Sequence, residues 1–177
     1  EIDFVMSHEN LSHVLGDLMS SGELPLRVTH NDTKLNNIMM DNETGKGICV
    51  IDLDTVMPGL AAYDFGDSIR FGATTAAEDE TDLSLVHLDL DLFRTFTRGF
   101  LRSCPNLTEK EILTLPMGAK IMTLECGVRF LTDYLDGDHY FTIHRKQHNL
   151  DRSRTQNTKA DEAKRETSAH HNIFFMN

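Results

Sequence analysis

Two apolar runs too short to be helices, Ile38-Met39-Met40 and Ile48-Cys49-Val50-Ile51, flank the polar segment Asp41–Gly47, which contains Asn42, Gly45 and Gly47. Runs of this kind around a glycine-containing loop close on each other as an antiparallel hairpin. A short extended run over Leu24–Val28 precedes it. The rest of the chain has helical periodicity. Leu11, Val14, Leu15, Leu18 and Met19 make one stripe over Ser7–Ser21, which Gly22 is placed to end. Beyond Pro58-Gly59, Asp64 is expected to cap a short helix running toward Phe71. Thr74–Asp82 reads as an acidic surface loop, and Leu85, Leu88, Leu92, Phe93, Phe96 and Phe100 stripe a second long helix. Thr108 and Glu111 form a capping box that opens a third, apolar on nearly all sides, which Pro116 should bend or divide. After Gly137, residues 149–167 are helix-forming and almost wholly polar, so they are expected on the surface or against another domain. The fold class is mainly α with a small β-hairpin (α+β). A single unit spans 1–177, with the hairpin region at 25–67 and a helical body at 68–177.

Charge and composition exclude several classes. The net charge is −11, from 28 acidic against 17 basic side chains, and such a surface repels phosphate backbones, so no nucleic acid partner is expected. Seven of the 17 basic residues lie between Arg145 and Arg165, read here as a solvated helix rather than a partner site. No apolar run exceeds four residues, which leaves no membrane span, and the first twenty residues do not form a signal peptide. Cys49, Cys104 and Cys126 are odd in number and far apart, which points to a reducing, cytoplasmic setting. His139, His144, His148, His170 and His171 lack zinc-ligand spacing and are read as surface residues.

Chemistry concentrates in His30-Asn31-Asp32-Thr33-Lys34-Leu35-Asn36-Asn37 and in Val50-Ile51-Asp52-Leu53-Asp54. Phosphoryl transfer needs a carboxylate to orient the attacking hydroxyl, oxygen ligands for Mg²⁺ on the nucleotide phosphates, and positive charge for the transition state. Asp32 and Asn37 on one loop supply the carboxylate and an amide oxygen, and Asp52 beyond the hairpin supplies a second carboxylate. Magnesium takes one or two protein oxygens and fills its shell with phosphate and water, so this is an apt set.

The pattern His30-x-Asp32-x-Lys34-x-x-Asn37 resembles the catalytic loop H-R-D-x-K-x-x-N of the protein kinases. The His-Asn-Asp opening and the Ile-Asp-x-acid segment look more like the aminoglycoside phosphotransferase and choline kinase group. The longer runs Thr29–Asn37, Ile51–Gly59 and Tyr63–Asp67 are similar to the N-acetylhexosamine 1-kinases. The resemblance implies the C-terminal lobe of a protein-kinase-like fold and transfer of the ATP γ-phosphate to a sugar hydroxyl. In this reading Asp32 acts as the base and Lys34 contacts phosphate, with Asn37 and Asp52 as Mg²⁺ ligands and His30 pinning the loop. Asp64-Phe65-Gly66 spells the protein-kinase magnesium motif, but Asp52 is preferred as the ligand because it follows an apolar strand. Asp54, two positions on along that strand, shares its face, and either reaches a second metal or bonds the loop. In the hexosamine kinases an arginine and a tyrosine at the separation of Arg129 and Tyr140 contact the sugar; the other reading of Arg129 is a structural ion pair.

A glycine-rich nucleotide loop with a strand lysine is not found in the chain, which begins at Glu1, so an N-terminal nucleotide lobe is expected as the missing partner and the 177 residues alone are expected not to turn over. The runner-up functions are an aminoglycoside- or choline-type kinase and a non-catalytic kinase-like binding module. The second would be expected to have lost Asp32, Asn37 or Asp52, all of which are present.

Overall fold

The computed structural model describes residues 1–169, with side chains described as far as Glu162, so His170 and His171 lie outside the described residues. Helices α1 (Ile2–Ser7) and α2 (Val14–Ser20) are joined by a 3₁₀ turn over Glu9–His13, where the stripe had predicted one helix. Strands β1 (Arg27–Thr29), β2 (Ile38–Met40), β3 (Gly47–Val50) and β4 (Met57–Gly59) follow. Helices α3 (Ala61–Gly72), α4 (Leu90–Ser103), α5 (Glu109–Asp136) and α6 (His148–Ala169) complete the chain. The predicted hairpin is present, β2 against β3 with Ile38 opposite Val50. A second antiparallel ladder, which the sequence had not revealed, pairs β1 with β4 and sets Thr29 opposite Met57. The fold is mainly α with small β elements.

The core gathers around Phe65, which is fully buried and meets the rings of Phe93, Phe96 and Phe100 at 6.0, 5.9 and 5.3 Å. Helix α5 runs through the middle, with α3 on one side and α6 on the other, which is why its apolar positions wrap round it. Its capping box forms as the sequence predicts, and Glu111 also takes the Arg27 guanidinium at 2.7 Å, tying β1 to α5. Pro116 does not divide α5, which runs unbroken for 28 residues. Where α3 crosses α5 the backbones touch: a Cβ on Gly66 would lie 2.3 Å from Gly118 O, and one on Gly118 would lie 2.1 Å from Ala62 O. Any side chain at either glycine would push the two helices apart.

One expectation fails. Helix α6 is not a solvated surface helix: Asn149, Ser153, Thr155, Gln156 and Ala160 are fully buried against the body. Hydrophobic periodicity misses it because the buried face is built from small and polar side chains. Gly127 on α5 permits the close approach, since a Cβ there would lie 2.9 Å from Asn157 Oδ1. Nor is Thr74–Asp82 a bare loop. Glu78 pairs with Arg70 at 3.1 Å and Asp79 with His148 at 3.0 Å and Arg145 at 3.4 Å, so the basic stretch turns inward to clamp the acidic loop. Among the described residues no helix is long and apolar enough to cross a membrane, and all three cysteines are free.

Lys159 sits in this seam, 6% exposed, and forms no ion pair among the described residues. Burial, with the nearby Arg70 charge, pushes its pKa from the ordinary 10.5 down to about 8. Between these two values Lys159 binds fewer protons in the folded than in the unfolded chain, so its contribution to stability rises with pH across that window. Lys159→Met is expected to stabilise the protein by about 1–3 kcal/mol near neutral pH and to abolish that rise. Thermal melts of both proteins across the alkaline range measure it, and an unchanged slope would contradict it.

Candidate active site

The loop from His30 to Asn37 lies between the two strand ladders and is held from three directions. From α3, the Asp64 carboxylate accepts the backbone N–H of His30 and of Asn31, both at 2.8 Å. Asp64 is therefore not the helix cap expected from the sequence; it sits in the first turn of α3, and both oxygens are committed to the loop. Thr33 Oγ1 donates to the Asp64 carbonyl at 2.7 Å and lies 3.4 Å from Asp67, whose carboxylate is itself fixed by Arg70 at 2.8 and 3.0 Å.

From the segment after β3, Thr55 Oγ1 donates to His30 O at 2.6 Å and Asn31 Nδ2 to Thr55 O at 2.9 Å. Ile51 N–H donates to Asn37 O at 2.9 Å, and the His30 ring Nε2 lies 3.0 Å from Ile51 O. With His30 Nδ1 3.3 Å from the Asp32 N–H, the ring accepts at Nδ1 and donates at Nε2. His30 thus pins the loop, as its place in the motif implies. These bonds place Asp52, one residue past Ile51, beside the loop.

Within the loop, Asp32 Oδ2 accepts from Lys34 Nζ and from Asn37 Nδ2, both at 2.8 Å. Asn37 Nδ2 donates to Asp32 O as well, also at 2.8 Å, which leaves the amide oxygen of this buried side chain free to accept a cation. Burial would raise the Asp32 pKa. The bonds from Lys34 and Asn37 outweigh it and hold the carboxyl below the ordinary carboxylate range. Asp32 is therefore ionised at neutral pH, with its second oxygen open.

Asp52 differs from the expectation in its backbone. Strand β3 stops at Val50, and Asp52 takes a left-handed conformation at φ 61° ahead of the 3₁₀ turn Leu53–Thr55. The alternation that put Asp54 on the same face therefore does not apply. Both side chains are exposed. Asp52 makes no side-chain bond among the described residues and lies close enough to Lys34 to help raise its pKa, after the larger effect of Asp32. An amide oxygen and an uncommitted carboxylate fit Mg²⁺, which completes its shell from substrate phosphate. No cluster of three or more His, Cys, Asp or Glu able to hold a metal occurs among the described residues.

Arg129 and Tyr140 come together elsewhere, at the end of α5. The guanidinium lies 5.8 Å from the Tyr140 ring centre and 5.5 Å from that of Phe141, and it pairs with Glu125 at 3.7 Å. Arg129 and Glu125 also line a cleft of about 540 Å³ against residues 5–12. No direct bond joins this group to Asp32. Burial raises the pKa of Glu125 and outweighs the opposing charges of Arg129 and Arg70.

The model of the phosphotransferase enzyme family (APH) matches residues 6–102, more than half of the chain. The chain belongs to that family. The matched stretch carries Asp32, Lys34, Asn37, Asp52 and Asp64, and the family match makes the protein a phosphotransferase that acts on a small molecule. The helical remainder is the mainly α part of a kinase-like lobe.

The spacing Asp64-x-x-Asp67-x-x-Arg70 on one helix is the signal that would have revealed the loop's anchor. Positions three apart share a face, so Asp67 finds Arg70 on its own helix and Asp64 is left to seek a target beyond it. Asp64→Ala leaves two N–H groups without an acceptor, at an expected cost of about 1–3 kcal/mol in stability. The displaced Asp32 is expected to lower kcat about 100-fold. Thermal melting and steady-state kinetics on the full-length phosphotransferase measure the two effects. Turnover within twofold of normal would show that the loop holds its shape without α3.

Proposed function

We propose that the protein is an ATP-dependent kinase that phosphorylates the anomeric hydroxyl of an N-acetylhexosamine. The observation that carries the phosphoryl-transfer part is the contact set of Asp32 with Lys34 and Asn37, with Asp52 stitched alongside. The ionised Asp32 accepts a hydrogen bond from the acceptor hydroxyl, directs its lone pair at the γ-phosphorus and takes the proton as the new P–O bond forms and the bond from the γ-phosphorus to the bridging oxygen breaks, releasing ADP. Lys34, anchored on Asp32, presents its charge toward the transferring phosphoryl group. Asn37 Oδ1 and Asp52 would hold Mg²⁺, which when bound offsets charge on the β- and γ-phosphates. Asp54, exposed beside Asp52, is a further candidate ligand for a second ion.

The hexosamine reading rests on the Arg129–Tyr140 pair. A choline-type acceptor would need open aromatic faces for its cation. Here a guanidinium already lies over Tyr140 and Phe141, which suits a neutral, hydroxyl-rich molecule. The net charge of −11 favours the alternative of a polycationic aminoglycoside. Leu35, Met39, Ile48, Val50, Ile51 and Leu53 are all exposed around the hairpin. An apolar patch of this extent beside the phosphate site is the surface on which a nucleotide-binding lobe would dock. The free cysteines suit a reducing cytoplasm.

An acceptor panel assayed with the full-length protein tests the substrate. N-acetylhexosamines should be phosphorylated with a KM insensitive to salt, and ³¹P NMR should show an anomeric phosphate. Preference for cationic acceptors, weakening as salt rises, would overturn the sugar assignment. Asp32→Asn should lower kcat by about 10²–10⁴ with little change in acceptor KM. Lys34→Met removes the charge that keeps Asp32 acidic, so the acid limb of kcat/KM should move to higher pH. A limb that stays in place would remove Asp32 as the titrating group.

A further inference from the structure

The last turn of α5 contains an arrangement that neither the loop chemistry nor the family match accounts for. Asp133 lies three residues from the helix end, with no basic residue in that turn, where the partial negative charge of the helix C-terminus opposes a carboxylate. It is nonetheless buried, 7% exposed, and forms no salt bridge among the described residues. Its partners are three backbone N–H groups and one side-chain amide. Oδ1 accepts the N–H of His139 at 2.9 Å and of Tyr140 at 2.7 Å, and Oδ2 accepts the N–H of Phe141 at 2.9 Å. Asn149 of α6, fully buried, donates Nδ2 to Oδ2 at 2.8 Å and to Asp138 Oδ1 at 2.9 Å.

The chain reaches this geometry by two successive left-handed residues, Gly137 at φ 102° and Asp138 at φ 61°. The Asp138 N–H returns to Asp133 O at 2.7 Å and closes the helix. The turn so made aims three consecutive N–H groups inward at one carboxylate, an arrangement of backbone dipoles that suits a negative charge. Burial alone would raise the pKa of Asp133; the bonds from Phe141, Tyr140 and His139 outweigh it and keep the carboxyl below its ordinary range.

The held segment carries Tyr140 and Phe141, whose rings meet edge to face at 4.7 Å and flank the Arg129 guanidinium. Phe141 is anchored on Phe130 at 4.7 Å, but Tyr140 is 74% exposed. Core packing does not fix that tyrosine. Its backbone bond to Asp133 does.

We propose that Asp133 is a positioning residue for acceptor binding, holding the turn 139–141 so that Tyr140 and Arg129 present one preformed surface to the sugar. It acts through Tyr140 and touches neither acceptor nor nucleotide. The proposal rests on the reading of Arg129 and Tyr140 as acceptor contacts. Asp133→Asn keeps the size of the side chain but replaces one acceptor oxygen with an NH₂ group, which faces other donors and loosens the turn.

Steady-state kinetics on the full-length protein should show Asp133→Asn raising the acceptor KM about tenfold, with the ATP KM and kcat within twofold of normal. In a double-mutant cycle with Tyr140→Ala, the Asp133 substitution should add little to the acceptor KM, because the residue it positions is gone. Additive effects, or equal changes in both KM values, would overturn the proposal in favour of a general structural role. If Tyr140→Ala raises the acceptor KM and Asp133→Asn does not, the positioning role fails while the acceptor site stands. If neither Tyr140→Ala nor Arg129→Ala alters the acceptor KM, the acceptor site itself is wrong and the proposal falls with it. Should Asp133→Asn not fold, Asn149→Ala leaves the carboxylate and its three backbone donors in place, removes the side-chain donor behind it together with the bonds to Asp138 and Arg152, and should raise the acceptor KM about two- to threefold. An unchanged value in that variant would also overturn the proposal.

Discussion

The Asp64 carboxylate accepts two consecutive backbone N–H groups, those of His30 and Asn31, and the geometry of the His30–Asn37 loop follows from that contact. Irregular backbone between two short strand ladders has few partners of its own, and its buried polar groups must be paired. Asp64 supplies the pairing from a rigid helix, so the loop is located relative to the hydrophobic core and not merely tethered to its neighbours. Asp32, Lys34 and Asn37 then satisfy one another. His30, Thr55 and Asn31 bind the loop to the segment carrying Asp52.

That anchor is only as well placed as α3 itself. The glycine contact of Gly66 and Gly118 seats α3 directly on α5, and the Phe65 cluster fills the space beside it. The opposite end of α3 is clamped by Arg70, which reaches both Asp67 and Glu78. Glu78 in turn receives the Arg152 guanidinium and Asp79 the His148 ring from the start of α6, so one chain of polar contacts and packed backbones joins the His30–Asn37 loop to the helices that hold Arg129 and Tyr140. The loop and the Arg129–Tyr140 pair are thus held by α3 and α5 in fixed relation without touching.

Much of this was legible in the amino-acid sequence where local chemistry decides the outcome. The hairpin of β2 and β3 was visible from two short apolar runs and a glycine-containing loop. The capping box of Thr108 and Glu111 was visible from residue type and position. Asp32, Lys34 and Asn37 were marked by their spacing, and they form a single cluster. What stayed hidden was non-local. Asp64 has the composition of a helix cap, and only the fold shows that its target lies more than thirty residues earlier. Helix α6 buries serine, threonine, asparagine and glutamine, which a hydrophobic pattern counts as solvent-facing. Asp52 leaves the strand by a left-handed residue, which alternation along β3 could not foresee for Asp54.

Amide hydrogen exchange of the wild-type protein and of Asp64→Ala tests most directly whether this one carboxylate holds the reactive loop. The N–H groups of His30, Asn31, Asn37 and Ile51 belong to the stitched unit, and those in the middle of α5 report on the core. Removal of Asp64 is expected to speed exchange across residues 30–37 and at Ile51 by about tenfold or more, with the α5 amides unchanged. Loop protection equal to that of the wild type, or a loss of protection shared equally by α5, would contradict the account.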